Sequence, residues 1–87
     1  MTKLNQNEND KVLEIVNFYN KISPNLITEE ETNIFIEDVI NLSISTNEDI
    51  SEILDICRDF AYRFIKISDI CKFTKASILL RQSAGIE

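Results

Sequence analysis

Histidine is absent from this chain, glycine and proline occur once each, cysteine occurs twice, and no apolar run approaches the length of a membrane span. Each shortage excludes something. Without histidine, a glycine-rich phosphate loop, or a serine or cysteine nucleophile beside a base, the ordinary routes to acid–base and covalent catalysis are missing. Helical di-iron sites need Glu-x-x-His pairs, and calcium loops need alternating oxygen ligands around a tight glycine turn; neither pattern is present. The expectation is therefore a protein that is not an enzyme and holds no metal or cofactor. With only Gly85 and Pro24 to make tight turns, hairpins lack the positive-φ residues they require, and helices become the default. No segment supplies the ~20 apolar residues of a bilayer-crossing helix. The leading Met-Thr-Lys-Leu-Asn-Gln-Asn has no apolar core of a signal peptide, so no membrane association and a cytoplasmic location are expected. In such a compartment Cys57 and Cys71, set among apolar residues with no histidine to share a metal, read as buried free thiols.

What is present fits a small folded unit. The 87 residues leave room for one domain and one small core, which would bury ~60–65% of the unfolded surface. An apolar content of 44% with 28% charged residues lies far from the composition that keeps chains disordered. Abundant Ile, Asn and Lys suggest an A/T-rich coding sequence of the kind common in phages, plasmids and low-GC bacteria.

Apolar spacing marks the helices. Val12, Ile15, Val16, Tyr19 and Ile22 form one stripe and predict a first helix over about 9–22, with residues 1–8 a flexible, polar lead. Pro24 keeps Ser23 out of the α region, so Ser23-Pro24-Asn25 reads as a turn. Thr28-Glu29-Glu30-Glu31 matches a capping box and starts a second helix, whose stripe is Phe35, Ile36, Val39 and Leu42 and whose end falls in the cluster Ser43–Asn47. Ser45 with Glu48, or Thr46 with Asp49, offers the next start. From Ile50 to Ile67 apolar residues cover most of the circumference, which predicts a central third helix or one whose excess face meets another molecule. Beyond Ile67 the phase changes to Ile70, Phe73, Ser77 and Leu80. With Ser68-Asp69 as caps, a break there and a fourth helix over about 69–83 are expected, the competitor being one continuous helix from 47 to 83. The expected architecture is all-α, a three- to four-helix bundle in a single domain over 1–87, with possible dimerisation through the third and fourth helices at Phe60, Phe64, Ile67 and Cys71.

Charge is divided unevenly. Residues 1–56 carry twelve acids against three lysines, whereas residues 57–86 carry six bases against two acids. First-turn acids such as Glu29, Glu30 and Glu31 complement the helix dipole, at ~0.3–1 kcal/mol each. That account does not reach Glu14, Glu37 or Asp38, in the interiors of helices nearly devoid of lysine. An acidic face centred on Glu30, Glu37 and Asp38 is accordingly the expected binding surface. Its natural target is a protein with a basic surface, because steered association with an opposite charge is fast. The function expected is that of a small acidic helical protein that binds and modulates or inhibits a macromolecular partner, of the inhibitor, immunity, antitoxin-like or regulatory adaptor type. The alternative is a small DNA-binding regulator that would use Lys72, Lys75 and Arg81 on the last helix; the net charge of −6 places it second.

Overall fold

The computed structural model describes residues 4–84 and forms four helices: α1 (Gln6–Ile22), α2 (Glu29–Thr46), α3 (Ile50–Tyr62) and α4 (Ile67–Ala84). No strand occurs among the described residues, so the chain is all-helical there. Residues 1–3 of the expected flexible lead lie outside them. The rest of that lead is not loose. Asn5 and Glu8 make a reciprocal capping box, the Glu8 amide donating to Asn5 Oδ1 at 2.8 Å and the Asn5 amide donating to Glu8 Oε1 at 2.9 Å. Two orphan donors of the first turn are thereby satisfied, and α1 begins at Gln6, ahead of its first apolar stripe residue.

Val12, Ile15, Val16 and Tyr19 are buried as their spacing predicts, but Ile22, the last of the expected stripe, remains 46% exposed. Ser23 is extended before Pro24, and the Ile27 amide donates to Asn20 Oδ1 at 2.7 Å, which turns the chain toward α2. The expected capping box at Thr28 and Glu31 forms, with bonds of 2.9 and 3.0 Å. Phe35, Val39 and Leu42 then face the core, joined by Thr46, while Ile36 is half-buried. Thr46 does not cap the next helix. Its hydroxyl donates back to the Leu42 carbonyl at 2.7 Å, Ser45 bonds the same carbonyl at 3.2 Å, and Asp49 starts α3 without a side-chain cap. Asn47, at φ 58°, makes the turn. Gln82 of α4 clasps that turn from the far end of the chain, donating to the Thr46 carbonyl at 2.8 Å and to Glu48 Oε2 at 2.9 Å.

α3 is the central helix, packed against α1, α2 and α4; α2 also packs on α4. Ile53, Leu54, Cys57 and Ala61 of α3 are fully enclosed. The continuous helix from 47 to 83 does not form, and the break falls earlier than Ser68-Asp69. α3 ends at Tyr62, and Ser68 and Asp69 lie inside the first turn of α4. The stop is a Schellman motif: the Phe64 amide donates to the Ala61 carbonyl at 2.9 Å and the Ile65 amide to the Phe60 carbonyl at 3.2 Å, with Phe64 at φ 66° in the position that glycine usually takes. The buried Tyr19 hydroxyl donates to the Ile65 carbonyl and ties this corner to α1.

α4 also turns a different face inward from the one expected. Ile70, Thr74 and Ile78 are buried, at spacings of four, whereas Phe73 is 43% and Leu80 73% exposed. Burying a threonine in an apolar core requires a partner for its hydroxyl, and Thr74 Oγ1 lies 3.4 Å from Cys57 Sγ. That contact joins the buried face of α4 to α3.

Candidate functional site

Ion pairing shows where the excess acid is left. Lys11 bonds Asp55 at 2.8 Å, Arg58 reaches Glu14 at 3.4 Å and Asp55 at 3.5 Å, Arg63 reaches Asp59 at 3.3 Å, and Arg81 reaches Glu48 at 3.8 Å. These contacts draw on acids of α1, of α3 and of the turn before it. None involves α2, which carries Glu29, Glu30, Glu31, Glu37 and Asp38 and contains no base. Glu31 is engaged in the capping box. Glu37 and Asp38 are exposed in the helix interior, beyond the reach of the dipole argument.

The outer face of α2 is more than acidic. Glu30, Ile34, Glu37, Asn41 and Ile44 follow one another at i, i+4, i+7, i+11 and i+14, and so line a single stripe. Ile34 is 51% exposed and Ile44 72%, and Glu30 and Glu37 stand beside them. Asp38 is turned to one side of this stripe. With Asn41, Leu42 and Ser45 it forms one wall of a shallow groove whose other wall is Cys71, Lys72 and Lys75 of α4. The three expected acidic residues therefore belong to one helix surface, with Asp38 on its border with α4.

The alternative basic residues are less uniform. Lys72 and Lys75 are exposed without ion-pair partners among the described residues, but they face the groove that Asp38 lines; Arg81 is held by Glu48. Of the other bases after Cys57, Arg58 and Arg63 are also paired within the chain.

The four residues expected at a subunit interface lie in different surroundings. Phe60 is half-buried with its ring 6.1 Å from that of Phe73. Phe64 and Ile67 border a hollow with Tyr19, Ile27 and Lys66, and Cys71 opens into the α2–α4 groove. Phe64 is 72% exposed; its ring lies 6.3 Å from Phe18, which in turn meets Tyr62 edge-on at 4.8 Å. The Tyr62 hydroxyl donates to Glu14 at 2.8 Å, and that bond to a carboxylate pushes the phenol up. No group of three or more metal-ligating His, Cys, Asp or Glu side chains occurs among the described residues. No helix of the described residues is long and apolar enough to cross a membrane.

Sequence reasoning found the acids of this face but not its isoleucines. Ile34, Phe35, Ile36, Val39 and Ile40 are more apolar residues than one stripe can bury, and the surplus was the available signal. No protein-family model matches the chain, and no curated protein or solved structure matches it either.

Proposed function

We propose that this protein is a non-enzymatic binding protein that engages a basic macromolecular partner through the outer face of α2 and thereby modulates or blocks it. One observation carries the reading: α2 holds five carboxylates, no base and, among the described residues, no ion pair, and exposes Ile34 and Ile44 on the same stripe as Glu30 and Glu37. The acids steer a positively charged surface toward the helix, and the isoleucines supply apolar area that becomes useful only when covered. A nucleic-acid enzyme or another protein that presents a basic site fits this chemistry, because the carboxylates would compete with its natural polyanion.

Retention of a partner from the host by the immobilised chain, followed by kinetics with variants, tests the proposal. Replacing Glu30, Glu37 and Asp38 by lysine should slow association about tenfold or more and weaken its salt dependence. Ile44→Asp should act on dissociation instead. If reversal of Lys72 and Lys75 has the larger effect, and random duplex DNA is bound at physiological salt, the acidic-face reading fails and a DNA-binding regulator using Lys72, Lys75 and Arg81 takes its place.

A second copy of the chain is the other partner we propose, on the third and fourth helices and the corner between them, where Phe64 of the corner and Phe73 and Leu80 of α4 are all more than two-fifths exposed. Light scattering across micromolar concentrations tests it directly. A monomer throughout removes the dimer and leaves the α2 proposal standing.

A further inference from the structure

The two thiols lie on either side of the α3–α4 corner. Cys57 is five residues before the end of α3 at Tyr62, and Cys71 four residues after the start of α4 at Ile67, so folding at the corner brings them to similar heights on packed helices. The side-chain contacts agree. Thr74, one turn beyond Cys71 on the same helix, places its hydroxyl 3.4 Å from Cys57 Sγ, and residues three apart on a helix are neighbours. Cys57 is wholly enclosed, while Cys71 is half-buried and lines the groove shared with Asp38, Lys72 and Lys75. One sulfur of the pair is thus open to a reagent and the other is reserved behind it.

We propose that Cys57 and Cys71 form a reversible dithiol–disulfide couple that reacts with low-molecular-weight disulfides, Cys71 making the first bond and Cys57 resolving it. This arrangement does not depend on the α2 proposal. In the first step the Cys71 thiolate attacks one sulfur of the small disulfide; that S–S bond breaks, a mixed disulfide forms on Cys71, and the departing thiolate takes up the proton Cys71 released. In the second step the Cys57 thiolate attacks the Cys71 sulfur from within the core and expels the second small thiol, which takes up the proton of Cys57. Two protein thiols are oxidised to one disulfide by two electrons, and one small disulfide is reduced to two thiols. Excess reduced thiol reverses both steps.

Access, rather than acidity, assigns the two roles. A hydrogen bond from the Cys71 thiol lowers the Cys57 thiol against the opposing effect of burial, and the Thr74 hydroxyl adds to the lowering. The same thiol hydrogen bond, burial, the Cys57 charge and Asp38 push the Cys71 thiol up. These effects favour the charge on Cys57 and the proton on Cys71, so Cys71 reacts first because it is the sulfur open to the reagent, not because it is the more acidic. Lys72 and Lys75 flank the opening and favour a disulfide that bears carboxylates, with Asp38 opposing them from the facing wall. Thr74 is a positioning residue, holding a donor on Cys57 as its sulfur becomes anionic.

The test uses the full reduced chain in native buffer with oxidised glutathione, quenched in acid at intervals and read by intact mass. A glutathionyl adduct should rise and decay, leaving a monomeric chain lighter by two hydrogens that dithiothreitol restores. Cys57→Ser should stop at a lasting single adduct on Cys71, Cys71→Ser should resist the reagent while folded, and Thr74→Val should prolong the adduct without slowing its formation. The wild-type time course is decisive even if a buried variant fails to fold. A persistent adduct on the wild-type chain, no reaction before denaturation, or disulfide-linked dimers would each overturn the proposal.

Discussion

Asn47 and Phe64 occupy the same left-handed region of backbone space, each just beyond a helix end, yet their suitability for it is opposite. Asparagine tolerates that conformation, whereas an L-residue with a large side chain pays about 1–2 kcal/mol for it. At Asn47 local preference and tertiary structure agree. At Phe64 the fold overrides local preference: the Tyr19 hydroxyl holds the Ile65 carbonyl, Ala61 is buried just before the corner, and Ile65 and Ile67 pack on the core just after it. The ring at the strained position is then left largely in solvent, beside Phe18. The difference teaches that a turn can be imposed by its flanks, and that strain persists where those flanks determine the path.

The largest perturbation of this contrast removes the anchor. Tyr19→Ala deletes a buried ring and its bond to the corner, and should cost ~3–5 kcal/mol in denaturant unfolding. A loss below ~1 kcal/mol would show that the Phe64 corner stands without its flank.

Next in size is a pH effect confined to the same anchor. Burial, with a smaller contribution from the Cys57 charge, pushes the Tyr19 phenol above its ordinary value. The folded chain keeps that proton where the unfolded chain begins to release it, near pH ~10, so the stabilisation is complete below that pH and is lost above it by up to ~1.4 kcal/mol per pH unit. Tyr19→Phe has no phenol to titrate. The urea midpoints of wild type and Tyr19→Phe should therefore converge as pH rises above ~10, and parallel curves would count against a buried, bonded phenol.

Substitutions at the two turns should then move stability in opposite directions. Phe64→Gly relieves the left-handed strain and should stabilise by ~1 kcal/mol, while Asn47→Ala introduces it and should destabilise by ~1 kcal/mol. Equal signs from thermal melts would mean that the Phe64 ring contributes more through Phe18 than its backbone costs.

The smallest expected effect belongs to the α2 face. Lysine at Glu37 or Asp38 should shift stability by less than ~0.5 kcal/mol per site, since these carboxylates lie beyond the first turn and have no ion-pair partner to lose among the described residues. A larger loss would assign them to the fold rather than to a partner.

How much of this was legible in the sequence follows the same division. The Thr28 capping box, the stripes Val12–Tyr19 and Phe35–Leu42, and the central place of α3 could be read because local chemistry and tertiary packing agree there. The α3–α4 corner could not be placed, since its left-handed residue is a phenylalanine and the apolar pattern runs through it unbroken. The inward face of α4 was misread because Thr74 counts as polar until the Cys57 thiol that receives it is known. At the candidate site, counting gave the acidic excess, but only side-chain geometry separates Glu14, Asp55 and Asp59, which meet bases, from the α2 acids, which meet none among the described residues.

The Gln82 clasp bears on how the end of α4 opens. A terminal helix turn ordinarily frays on its own, exchanging its amide hydrogens with almost no barrier. Here the last turns of α4 share a hydrogen-bonded amide with the Thr46 carbonyl and a carboxylate with the Glu48 side chain, 36 and 34 residues earlier. Opening that end uncovers the α2–α3 turn, and opening the turn releases the end. Amides near Gln82 and those near Asn47 should therefore exchange as one cooperative unit in wild type and as two in Gln82→Ala, so that the end of α4 reports on events at the α2–α3 turn.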